Sequence, residues 1–130
     1  MNPFNLCLKE KVKLRQHPDR LKLVEGWRYQ DFIVHQWNDG ELFDPWRVSH
    51  LPTGMLLARF SKDENACEAM IEIAKLSNDW AIIRQGDLTI ETRDKCKSII
   101  EKYKGEFANG RRDGTQMRYD LNGYATALSD

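Results

Sequence analysis

The stretch Trp46-Arg-Val-Ser-His-Leu-Pro-Thr-Gly-Met-Leu-Leu-Ala-Arg-Phe60 decides the fold, because its pattern predicts one β-hairpin. Pro52 favours an early turn position, and Gly54 can adopt the left-handed conformation that a bulged turn requires. The register that follows from this turn places three pairs on one apolar face: His50 opposite Leu56, Val48 opposite Ala58 and Trp46 opposite Phe60. That face is predicted to contribute to the core.

The other face of the predicted hairpin carries Arg47 directly opposite Arg59, flanked by Ser49 and Leu57. Two like charges directly across a strand pair destabilise it unless something neutralises them. The neutralising group is either a carboxylate of the same chain, for which the acid-rich segment Asp39–Asp44 is a candidate, or an external anion. The arginine pair is therefore a candidate contact site.

Two amphipathic helices are expected after the hairpin. The first should span about 61–76 and begin at a capping box formed by Ser61 and Glu64. The second should span about 92–104 and be capped by Thr92. Between them, the composition of Trp80–Ile83 indicates a short buried strand. The side chains expected to cover the helices are those of Trp46, Val48, Phe60, Trp80 and Ile82.

The first 30 residues can be interpreted in two ways. Apolar residues at alternating positions favour strands on both sides of a turn at His17-Pro18-Asp19. A short basic helix over 5–15 is the alternative, because Lys and Leu favour helix. A further strand is expected over Asp31–Trp37, and Met117–Tyr119 fits a terminal edge strand.

These elements predict an α+β fold, with a small antiparallel sheet of about five strands packed on two helices. The length of 130 residues fits one domain, 1–130, whose ends at 1–5 and 123–130 are expected to be frayed.

Composition narrows the class of protein. Twenty basic and 20 acidic side chains give a formal net charge of zero. The chain shows no apolar run of membrane-spanning length and no hydrophobic signal segment, which predicts a cytoplasmic protein. Three cysteines, Cys7, Cys67 and Cys96, are widely spaced without a zinc-binding pattern, so free thiols, no metal and no cofactor are expected.

No local motif predicts catalysis. His35 and His50 both fall on predicted strands, and whether they are core or functional residues stays open at this point. No cysteine lies near a histidine in the sequence, and no carboxylate pair is predicted to be buried together. The interpretation leans against an enzyme, with a dispersed active site as the remaining enzymatic alternative.

The favoured hypothesis is a small non-enzymatic binding or regulatory protein that recognises another macromolecule, with a protein as the expected partner. Trp, Tyr and Arg dominate binding hot spots. The candidate partner-binding residues are Arg47, Arg59, Arg111 and Arg112. By association, short chains without motifs are often inhibitors or accessory factors from phages or mobile elements.

The alternative hypothesis is nucleic-acid binding through the basic hairpin and the basic N-terminal segment. Its candidate residues are Lys9, Lys11, Lys13, Arg47 and Arg59. Trp27, Tyr29 and Trp37 would stack on bases if they were exposed on the sheet.

Overall fold

The computed structural model describes residues 2–16, 20–36, 45–77, 79–82, 89–108, 117–119 and 125–127. The strands are β1 (Leu8–Gln16), β2 (Arg20–Tyr29), β3 (Phe32–His35), β4 (Trp46–His50), β5 (Leu56–Phe60), β6 (Glu106–Phe107), β7 (Met117–Tyr119) and β8 (Ala125–Ala127). The helices are α1 (Asp63–Ala74) and α2 (Ile90–Lys102), preceded by a short 3-10 helix at Pro3–Leu6.

Strands β1 to β6 form one antiparallel sheet in which every strand lies beside its neighbour in the chain. The α+β prediction is confirmed, with six strands where about five were expected. The additional strand, β6, contains only two residues and follows α2, so no alternating pattern marks it in the sequence.

The decisive hairpin is formed by β4 and β5. Three predicted pairs are present: Trp46 with Phe60, Arg47 with Arg59 and Val48 with Ala58. Gly54 has φ 75°, the left-handed conformation that the turn was predicted to need.

The predicted register is wrong at the turn end of this hairpin. Ser49 lies opposite Leu56, and the amide of His50 donates to the carbonyl of Met55 at 2.8 Å. Leu57 is the extra residue of a β-bulge, and its side chain is buried in the main core instead of flanking the arginines.

The main core lies between one face of the sheet and α1. We call this the helix-side face and the opposite one the far face. The buried side of α1 includes Ala66, Cys67, Ala69, Met70, Ile73 and Ala74. They pack with Phe32, Val34, Val48, Ala58 and Phe60 of the sheet in one buried cluster. The α2 side chains Cys96 and Ile100 join the same cluster.

Both helix starts differ from the predicted ones. The residue before α1 is Lys62, which makes no side-chain cap, and Ser61 does not cap the helix. Asp63 instead accepts a bond from the amide of Glu64 at 2.8 Å. The cap of α2 is Thr89, whose hydroxyl accepts from the amide of Thr92 at 3.1 Å. The cap of α2 thus lies three residues upstream of the predicted cap, Thr92.

The predicted strand at Trp80–Ile83 is wrong over its described part, because residues 80–82 form a turn. Trp80 is nevertheless buried, and its indole N–H donates to the carbonyl of Ile73 at 3.0 Å. Ile82 is 72% exposed and does not cover the helices as predicted. The apolar residues at 80–82 therefore belong to a turn with one buried tryptophan and not to a strand.

Two short elements lie outside the main sheet and the two α-helices. The 3-10 helix at Pro3–Leu6 contacts α1, and Pro3 is buried. Strand β8 pairs with β7 in a separate two-stranded sheet, so Met117–Tyr119 is a strand but not an edge of the main sheet. The helix considered for 5–15 is wrong, since β1 pairs with β2 along its whole length.

Several predictions lie outside the described residues: the turn at 17–19, the acid-rich segment at 39–44 and the basic loop containing Arg111 and Arg112. Within the described part of the chain, neither helix is long and apolar enough to cross a membrane.

Candidate functional site

A single cross-strand row on the far face passes through all six strands of the main sheet. Its members, in order across the sheet, are Glu10, Gly26, His35, Arg47, Arg59 and Glu106. Because cross-strand partners share a face, the row gathers one histidine, two arginines and two carboxylates on one side of the sheet. The arginine pair predicted from the sequence lies at its centre.

An internal carboxylate offsets part of the repulsion between the arginines. The guanidinium of Arg59 donates to the Glu106 carboxylate at 3.3 Å. The Arg59 side chain is 15% exposed and that of Glu106 is 55% exposed. Glu106 was missed in the sequence because the two-residue strand that positions it has no recognisable pattern.

The two described histidines are built into the fold. His35 and Ser49 are diagonal neighbours on β3 and β4, with 2.9 Å between the ring Nε2 and the hydroxyl oxygen, and both are buried. His50 is fully buried between two partners, with Nδ1 2.8 Å from the Thr53 hydroxyl and Nε2 2.7 Å from the Trp80 carbonyl.

The Trp80 carbonyl can only accept, so the Nε2 of His50 carries the proton and Nδ1 accepts from Thr53. Burial lowers the pKa of His50, against smaller opposing effects of the Trp80 bond and the charge of Asp31. The neutral ring therefore links the hairpin turn to Trp80, in the turn at 80–82 after α1.

The thiols show the features of structural cysteines. Cys67 and Cys96 are buried, and Cys7 is partly buried against Cys67. Burial raises the pKa of all three thiols, that of Cys96 to about 12. Such thiols are weak nucleophiles at neutral pH. Over the described residues, no group of three or more His, Cys, Asp or Glu is arranged to hold a metal ion.

A second candidate surface lies at the other end of the sheet. Strand β1 pairs with β2 through nine residues, whereas β3 pairs only with Gly26–Tyr29. Residues 20–25 of β2 therefore extend past β3 with β1 beside them. We call residues 9–16 of β1 and their partners, residues 20–27 of β2, the arm; all of it except its base at 9–10 and 26–27 extends past β3.

Gly26 lies where the arm leaves the sheet. A Cβ at this position would lie 1.9 Å from the carbonyl oxygen of Val34, so no other residue fits without a backbone shift. On the far face, beyond Gly26, Leu14 and Val24 form a small buried cluster with Ile33. One side of the arm is thus packed.

The other side of the arm, on the helix-side face, is exposed. We call it the arm face. Along β1 it carries Lys9, Lys11 and Lys13, and along β2 it carries Leu21, Leu23 and Glu25. Leu21 is 62% and Leu23 61% exposed. The arm face thus combines two exposed leucines with lysines and one glutamate.

The base of the arm face is formed by Trp27. The ammonium of Lys9 lies 4.5 Å from the centre of the Trp27 ring, and the Phe4 ring packs on the tryptophan at 4.8 Å. Trp27 is partly buried against the main core, as is Tyr29. The third aromatic residue considered for base stacking, Trp37, lies outside the described residues.

The structure divides the sequence-predicted basic residues between two faces. The three lysines lie on the helix-side face, whereas Arg47 and Arg59 lie on the far face. One flat ligand cannot contact both groups across the sheet. The exposed leucines that accompany the lysines were not predicted as contact residues, because apolar residues at alternating positions are equally typical of a buried strand face.

No protein-family model matches this chain, and comparisons with curated proteins and with solved structures found no significant similarity.

Proposed function

We propose that this chain is a small non-enzymatic binding protein that recognises another protein through the arm face. The observation that carries the proposal is the exposure of Leu21 and Leu23 on the face that carries the lysines, with Leu23 directly opposite Lys13. Fully burying a leucine side chain is worth about 1.5–3 kcal/mol. Folding leaves both leucines exposed, so a partner that buries them gains this free energy on binding.

The charges on the arm face indicate an acidic partner. Three lysines stand against one glutamate, although the whole chain has a formal net charge of zero. Complementary charge around an apolar centre speeds encounter and selects partners. The proposed partner surface is therefore apolar at its centre and acidic around it.

A purely structural explanation accounts for the lysines but not for the leucines. Lysines on an edge strand such as β1 protect a sheet from pairing with other sheets. Exposed leucines have the opposite effect, since they favour association. The leucines thus distinguish a contact surface from a protected edge.

The test compares variants of the full-length protein as baits in host lysate treated with nuclease. Leu21→Ser/Leu23→Ser changes the arm face, and Ile82→Ser is the control. Ile82 is a 72% exposed apolar residue in the turn at 80–82, outside the sheet. We expect a protein that the wild-type chain and Ile82→Ser retain and that the double variant loses. Equal retention by all three baits would contradict the proposal.

Nucleic-acid binding is the second candidate, favoured by the straight line of Lys9, Lys11 and Lys13 beside Trp27. Alternate residues of a strand are about 6.8 Å apart, twice the rise per nucleotide of one strand of a duplex. Binding to short synthetic DNA or RNA would survive the leucine replacements and fall steeply with salt. Binding to the proposed protein partner requires the leucines.

The arginine pair remains a separate prediction. Arg59 already has Glu106 as an internal partner, which favours the arm face over the far face as the contact surface. If Arg47→Ala/Arg59→Ala weakened partner binding without lowering stability, the contact surface would lie on the far face.

A further inference from the structure

We infer that the outer edge of β1 binds an extended acidic segment of the partner by β-strand addition. This inference rests on the proposed function and specifies how the partner engages the arm. The backbone of β1 would supply hydrogen bonds, and the alternating side chains of β1 would select the sequence of the bound segment.

The two edges of the main sheet are unequal. The edge strand β6 has two residues and offers almost no template for another strand. The edge strand β1 has nine residues, and β2 is the one described strand that pairs with it. Long edges invite pairing, so β1 is the edge at which a partner strand has room to add.

The side chains of β1 define what fits beside it. On the helix-side face an added strand would lie beside Lys9, Lys11 and Lys13, whereas on the far face it would lie beside the exposed Leu8 and the partly buried Val12. Neighbouring side chains on paired strands are about 4.5–5.5 Å apart, close enough for ion pairs and apolar contacts. A segment in which acidic and apolar residues alternate satisfies both faces at once.

The same charges disfavour a second copy of this chain as the occupant. A symmetric antiparallel β1–β1 pair keeps the faces of the two sheets aligned, so lysines of one copy would lie opposite lysines of the other. Like charges directly opposite each other are destabilising. The complementary occupant is therefore a different, acidic chain.

The test uses libraries of peptides as long as β1 and the full-length protein at about 0.15 M ionic strength. One library alternates Asp or Glu with Val, Ile, Leu or Thr. The control library has the same composition but groups the acidic residues at one end. We expect binders in the alternating library alone. Lys11→Glu/Lys13→Glu should weaken the best binder by about tenfold or more.

Backbone methylation distinguishes strand addition from a contact with the arm face. In an antiparallel pair, the amides of alternate residues point toward the neighbouring strand. N-methylation of the best peptide at one set of alternate residues should abolish binding, and methylation at the other set should leave it nearly unchanged. Equal effects of the two sets would overturn strand addition.

The outcomes separate this inference from the proposed function. If no library member binds, or if both libraries bind equally, strand addition is wrong. A leucine-dependent partner from the lysate would in that case still support the proposed function. Sedimentation of the protein alone should show a monomer. If the protein were a dimer, and Lys11→Glu or a proline in β1 abolished that dimer, the occupant of the β1 edge would be a second copy of this chain and not an acidic segment.

Discussion

Replacing His50 by Phe should destabilise the fold although the ring and its volume are nearly retained. The His50 ring contacts Phe32 and Trp80 with centroid distances of 5.3 and 5.7 Å, and a phenyl ring can keep these contacts. It cannot keep the two hydrogen bonds of 2.8 and 2.7 Å. The Trp80 carbonyl would then be buried without this donor.

The expected cost follows from these two bonds. A lost hydrogen bond costs about 0.5–1.5 kcal/mol, and a buried group left unsatisfied costs about 1–3 kcal/mol. Together they predict a loss of about 2–4 kcal/mol in the free energy of unfolding. Thr53→Val removes the bond to Nδ1 and also the bond of 3.1 Å that the Met55 amide donates to the Thr53 hydroxyl, so it should cost about 1–3 kcal/mol.

Urea unfolding followed by tryptophan fluorescence measures both variants, since Trp80 packs against His50. A His50→Phe protein within about 0.5 kcal/mol of the wild type would refute the structural role given to this histidine.

The same residue predicts the direction of the pH dependence. The pKa of His50 is lower in the folded chain than in the unfolded chain, so between the two values the unfolded chain binds the additional proton. The contribution of His50 to the free energy of unfolding is therefore fully present above about pH 6.5. It falls as the pH drops below that value, by at most ~1.4 kcal/mol per pH unit. The difference between wild type and His50→Phe isolates the contribution of His50. An equal loss in both proteins between neutral and mildly acidic pH would exclude His50 as its source.

Three further predictions concern the core and the sheet edge. Gly105→Ala should lower stability by about 1–3 kcal/mol in urea unfolding, because the added Cβ would lie 2.2 Å from the Phe60 ring. Met70→Asp should abolish cooperative unfolding by circular dichroism, since Met70 is 0% exposed; a soluble, folded variant would contradict the placement of α1. A double-mutant cycle on Arg59 and Glu106 should give a coupling below about 1 kcal/mol, because the carboxylate is largely exposed; a larger coupling would show that the pair holds β6 in the sheet.

The hairpin shows what local sequence can predict about this fold. Its turn chemistry and its alternation predict three of the cross-strand pairs, because both depend on neighbours in the chain. The bulge at Leu57 depends instead on His50, which is held by Thr53 and by the distant Trp80. A local sequence pattern cannot contain that long-range contact. The predicted register is therefore wrong from Ser49 to the turn.

The helix boundaries illustrate a different limit. The apolar stripes of α1 and α2 are visible at helical spacing, and both helices are present. The cap of α2 was predicted at the wrong residue because Thr89 and Thr92 are both good cap residues, three positions apart. Which of them caps the helix depends on the direction from which the chain approaches it, and this is a tertiary property.

The candidate site depends on the length of one turn between β2 and β3. Lys9, Lys11 and Lys13 alternate on any strand, and Arg47 faces Arg59 in any hairpin with this register. Whether the two groups share a face is decided by the two-residue connection Gln30–Asp31, where Gln30 has φ 52°.

A two-residue turn of this kind usually contains Asn-Gly or a similar pair. Gln30-Asp31 is not such a pair, so the sequence does not predict this turn. Because side chains alternate with a period of two, one additional residue in this turn would move the lysines to the face of the arginines. The chain would then present a single strongly basic surface of the kind that binds nucleic acid. The β1–β2 pairing places the lysines on the same face as Leu21 and Leu23, and the observed turn keeps this face away from the arginines. This combination of exposed leucine and lysine is why we favour a protein partner.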